Sequence, residues 1–181
     1  MSRYHDDSTR ADHPGGVELS LEKLRILEPQ LFTDGTFKCS PTCDVDHPAA
    51  EMRERIAEHL EVGDSRAAIV VSVAHLVVAA YSDDLDTVAL VRFPPALVAK
   101  YGLSVGSRLL TVNTYGQVEA HGQLLYAADI VPGPRRVRWS NFSPFIADFL
   151  SDDTDWIESR KRDIPPEEWD TAQARAAERF Q

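Results

Sequence analysis

Cys39, Cys43 and His47 recur at intervals of four in the stretch KCSPTCDVDHP, residues 38–48, with Asp44 and Asp46 beside them. Thiolate sulfur and imidazole nitrogen are good zinc ligands, and a structural zinc site takes four of them, usually as two close pairs. The second pair is missing here, so Asp46, His5 or His13 would have to complete the set. An iron–sulfur cluster would need a third cysteine where Asp46 stands. A redox pair would want the tighter Cys-X-X-Cys spacing that helps depress a thiol pKa. The preferred reading is a loop of two reduced cysteines leading into a helix, with no cofactor. Zinc or iron at Cys39, Cys43 and His47, in an enzyme or metal-dependent regulator, is the alternative.

Carboxylates gather twice, as Asp83, Asp84 and Asp86 and as Asp152, Asp153 and Asp155. Oxygen ligands of this kind suit a divalent cation, but neither group has the glycine and distal glutamate of a twelve-residue calcium loop. Aspartate is also frequent in turns and at helix starts, where it bonds local amides. Both groups are therefore read as acidic surface, and as the residues that would attract a basic protein partner.

A nucleophilic enzyme places a base beside its nucleophile. His59 falls near a predicted helix C-terminus, where positive charge is favoured. His75 sits among valines, as a half-buried, hydrogen-bonded histidine would, and His121 lies by a predicted turn. No serine stands in a G-x-S-x-G elbow, and GLSVGS at 102–107 lacks the lysine and spacing of a phosphate loop. With no catalytic constellation, the chain reads as a non-enzyme. Trp139, Phe142, Phe145, Phe149 and Trp156 crowd into 18 residues and are predicted to be core beneath covering helices.

The scaffold for these residues follows from composition and pattern. With 181 residues, 43% apolar and 27% charged, the chain can bury a one-domain core without disulfide or metal. Two cysteines do not make a secreted scaffold, and the polar opening MSRYHDDSTRADHPGG cannot be the core of a signal peptide. The longest apolar run, 67–81, is too short for a bilayer. A cytoplasmic protein with no membrane role is expected. The net charge of −10 repels phosphate backbones, which argues against nucleic acid and for a basic partner. RRVRW at 135–139 and RKR at 160–162 read as solvated faces. Nothing in the sequence sets the oligomeric state.

Residues 1–16 lack apolar periodicity and end in Pro14-Gly15-Gly16, so a flexible arm is expected, followed by a single domain over 17–181. Val17, Leu21, Leu24 and Leu27 predict a short helix over 17–27. Pro48 reads as the first residue of a second helix capped by Asp46 or His47, with Ala49, Met52, Ile56 and Leu60 on one face and Gly63 as its stop. The valine-rich middle predicts strands, with a hairpin between 76–82 and 86–93, a short helix from Pro94-Pro95 to Tyr101, and a strand over 107–115. A further hairpin over 118–126 and an irregular strand within 129–139 follow. Val71, Val78, Leu90 and Leu110 are expected to face inward. Ser143-Pro144 reads as a cap and first-turn proline of a helix carrying Phe145, Ile146, Phe149 and Leu150. Two more helices, over 154–162 and from Pro165 to Phe180, close the chain. The order of elements predicts an α+β fold, a central, mainly antiparallel sheet with N-terminal helices and a helical C-terminal segment.

Overall fold

A computed structural model of the chain describes residues 11–38, 44–115, 119–120, 123–124, 130–132 and 142–180. It has an α+β fold. Helix α1 (Leu21–Leu27) and a 3₁₀ turn (Pro29–Phe32) precede the paired strands β1 (Thr36–Lys38) and β2 (Asp46–Pro48) and helix α2 (Ala49–Val62). Strands β3 (Asp64–Ser72), β4 (Val77–Ser82) and β5 (Thr87–Arg92) follow, then α3 (Ala96–Tyr101), β6 (Arg108–Tyr115), and the short pair β7 (Glu119–Ala120) and β8 (Gln123–Leu124). Next come β9 (Ile130–Pro132), β10 (Phe142–Ile146), a 3₁₀ turn (Ala147–Phe149), α4 (Thr154–Asp163) and α5 (Pro166–Arg179). The main sheet runs β10-β6-β3-β4-β5-β9, antiparallel except for β5 and β9.

Both faces of this sheet are buried, which is why its strands read as continuous apolar runs. One face carries Ala67, Ile69, Ala79, Leu90 and Leu110 against Ile56 and Leu60 of α2, Ile157 of α4, and Trp169 and Ala172 of α5. The other carries Ala68, Val70, Val78, Ala80 and Val91 against Leu97 of α3 and Phe149. Val78, Leu90 and Leu110 are buried as expected, although Val78 lies on the opposite face from the other two. Val71 is only half-buried, at an irregularity between Val70 and Ser72 in the β3–β4 pairing.

Four local expectations are corrected. The first helix begins at Leu21, because Ser20 is extended and its hydroxyl accepts the Lys23 amide; Val17 and Leu19 are buried without being helical. Neither Asp46 nor His47 caps α2: both belong to β2, and Pro48 occupies the cap position without a side-chain bond. The predicted helix at Ser143-Pro144 is strand β10, paired with β6 from Phe142↔Tyr115 to Ile146↔Thr111. Its alternation sends Phe145 to one core cluster and Ile146 to the other.

The last correction concerns the N-terminal segment. Gly15 N–H donates to Gly63 O at 2.8 Å and Gly16 N–H to Glu61 O at 2.9 Å, while Pro14 bridges to Asp64. A Cβ on Gly15 would lie 2.3 Å from Leu60 O. The two glycines that read as flexibility are needed for position, Gly15 for this close approach and Gly16 for its left-handed backbone at φ 61°.

Candidate binding surface

Past Ala68 and Ala80 the β3–β4 ladder stops, though β4 and β5 stay paired to Ser82↔Thr87. The side of β3 that β4 leaves is taken by other groups. Ser65 N–H donates to His13 O at 2.8 Å, and Ala67 N–H donates to the Glu168 carboxylate at 2.9 Å. Across the same opening, the Asn113 side-chain amide donates to Tyr81 O at 2.8 Å.

Arg66 lies in this opening, 7% exposed. Its Nε is 2.6 Å from Asp64 Oδ2, one terminal nitrogen is 2.6 Å from Asp83 Oδ2, and the other is 3.6 Å from Glu168 Oε2. Burial works against the Arg66 charge, but Asp64, Asp83 and Glu168 outweigh it and raise its pKa. Burial raises the Asp64 carboxyl, with Arg66 opposing. Asp86, at φ 44°, binds Arg175 and accepts from Tyr81 Oη at 3.4 Å. The bonds from Arg175 lead in lowering the Asp86 carboxyl. The Tyr81 hydroxyl is pushed up to about 12, chiefly by burial and then by the Asp86 charge. Of the first aspartate group, Asp83 and Asp86 thus hold internal cations, and Asp84 is raised by burial and by Asp83.

The second group divides differently. Lys23 Nζ, 3.3 Å from Asp152 Oδ1, also donates to the Asp148 and Ser151 carbonyls. The Asp152 carboxyl is lowered, first by a bond from Ser20 and then by Lys23. Beneath it, Asp148 accepts the Leu110 amide at 2.8 Å and pairs with Lys161. Asp153 and Asp155 are exposed, and among the described residues no salt bridge or hydrogen bond engages either carboxylate, although the Asp153 backbone N–H donates to Ser151 Oγ at 3.2 Å. Between them and the N-terminal segment lies Trp156, 45% exposed, its indole N–H donating to Gly15 O at 2.7 Å. Of the aromatics predicted to be core, Phe145 and Phe149 are buried and Trp156 is not. Trp139 and the Phe142 side chain lie outside what is described.

Cys39, Cys43 and His121 lie outside the described residues. His47 Nδ1 is 2.9 Å from Glu51 Oε1, which also pairs with Arg55. His59 lies in the last turn of α2, as expected, and is buried there: its Nε2–H donates to Val112 O at 2.7 Å and Nδ1 meets Thr114 Oγ1 at 3.1 Å. His75 is exposed in the β3–β4 turn, not half-buried. Among the described residues no cluster of three or more His, Cys, Asp or Glu side chains converges as a metal site. No described helix is long and apolar enough to cross a membrane. RRVRW is not described, and RKR is not a solvated face, since Arg160 bonds Ser65 and Lys161 bonds Asp148.

Sequence reasoning missed Arg66, Glu168 and Gly15. Only Arg66 left a signal, as a charge opening an apolar strand. No protein-family model matches the chain, and comparisons with curated proteins and with solved structures find no significant match.

Proposed function

We propose that the protein works by binding a basic macromolecular partner, in the manner of an adaptor, inhibitor or immunity protein, through the start of α4. One observation carries this reading: Asp153 and Asp155 are exposed and, among the described residues, held by no internal cation, whereas Asp83, Asp86 and Asp152 each have one. Exposed charge of one sign raises the encounter rate of an oppositely charged partner, and salt screens the effect. The overall charge of −10 acts in the same direction at longer range. The test is to cross-link and identify the partner in the protein's own host, then to compare association rates of wild type and Asp153→Asn/Asp155→Asn. Slower, less salt-sensitive association in the variant supports the reading. A partner that is itself acidic, or unchanged rates, removes it.

A further inference from the structure

Trp156 turns its one hydrogen-bonding group inward. An exposed tryptophan ordinarily keeps its N–H in water and its ring covered. Here the N–H is bonded to Gly15 O at 2.7 Å while 45% of the residue remains exposed. Solvent therefore meets carbon and π surface. The ring is also fixed in place. Gly15 and Gly16 are held by backbone bonds to Gly63 and Glu61, and a Cβ on Gly16, at φ 61°, would sit 3.6–3.7 Å from indole atoms. A rigid aromatic surface loses little entropy when a partner covers it.

The charges around it choose the occupant. Asp153 and Asp155 precede Trp156 by three residues and by one at the start of α4, and the backbone carbonyl of exposed Glu61 accepts the Gly16 amide. An anion would meet repulsion here, an apolar side chain would desolvate the carboxylates, and a second copy would bring the same acidic rim. A planar cation fits both features, because guanidinium stacks on indole, is weakly hydrated and pairs with carboxylate two-pronged. We infer that Trp156 is the anchor for an arginine side chain of the partner, stacked on the indole and paired with Asp153 or Asp155. This rests on the binding function proposed above.

The test is a titration of the full ¹⁵N-labelled chain with a blocked tetra-arginine peptide, following the Trp156 indole N–H resonance. The expected result is a saturable shift of that resonance, with the buried Trp169 resonance still. Asp153→Asn/Asp155→Asn should weaken the binding about tenfold, and Trp156→Phe, which keeps a ring, should weaken it less than Trp156→Leu. A tetra-glutamine peptide should give no shift. If tetra-arginine moves the Asp153 and Asp155 backbone resonances while the Trp156 indole stays silent, the anchor is wrong and electrostatic capture at the start of α4 survives. A tetra-lysine peptide that binds as tightly overturns the arginine assignment. If the arginine peptide binds nowhere, the anchor and the capture reading both fail.

Discussion

The Glu168 carboxylate accepts the Ala67 amide at 2.9 Å, so a side chain from α5 fills the place in the β3 ladder that β4 has left. Glu168 also lies 3.6 Å from Arg66, which makes this contact the join between the C-terminal helix, the sheet and the buried arginine.

Glu168→Ala should strand the Ala67 amide and cost about 1–3 kcal/mol of stability. Arg66→Ala should cost more, roughly 3–5 kcal/mol, because it leaves Asp64 buried without its cation. Urea unfolding of both variants measures this. Equal, negligible losses would mean that the opening is hydrated and the cluster is peripheral.

Asp83 and Asp84 should respond to neutralisation in opposite senses. Burial, then the Asp83 charge with a contribution from Asp12, holds the Asp84 carboxyl above its ordinary 3.8. A raised acid binds its proton more tightly folded than unfolded, so ionising it costs stability as pH rises through the interval above 3.8. Asp84→Asn lacks that cost. Its stability relative to wild type should match at pH below 3.8 and become favourable by neutrality. Asp83→Asn should instead destabilise at neutral pH, by weakening the Arg66 pair. Denaturant midpoints across pH decide between them.

Gly15→Ala places a Cβ 2.3 Å from Leu60 O and should cost roughly 3 kcal/mol while loosening Trp156. Gly102→Ala meets open space at φ 60° and should cost only about 1 kcal/mol, for the left-handed backbone. Thermal unfolding with tryptophan fluorescence reads both effects.

Cys39→Ser with Cys43→Ser should leave the Tm nearly unchanged, and a chelator should do the same to the wild type. Structural zinc contributes folding energy directly, so chelator-sensitive unfolding or stoichiometric metal on elemental analysis would reinstate the metal reading.

The sequence carried the elements whose signals are local. The hairpin over 76–82 and 86–93 appears as β4 and β5, and Pro94-Pro95, Pro165-Pro166 and Gly63 each bound a helix as read. It misled where a distant partner decides. Ser143-Pro144 with Phe145, Ile146 and Phe149 has helical spacing, yet pairing with β6 draws the segment into the sheet. Gly15 and Gly16 looked like slack because nothing local shows that α2 ends beside them. The aspartates were visible, but which of them hold cations depends on Arg66, Arg175 and Lys23, the last two far along the chain from their partners.

Capture of a basic partner at the start of α4, as proposed, must show in the kinetics of association. The most direct measurement is the association rate of wild type and Asp153→Asn/Asp155→Asn with the identified partner, by stopped flow at low and at physiological salt. The variant should associate several-fold more slowly at low salt and lose part of the salt dependence, with its unfolding free energy within about 0.5 kcal/mol of wild type. Rates and salt slopes identical in the two proteins would mean that Asp153 and Asp155 play no part in capture.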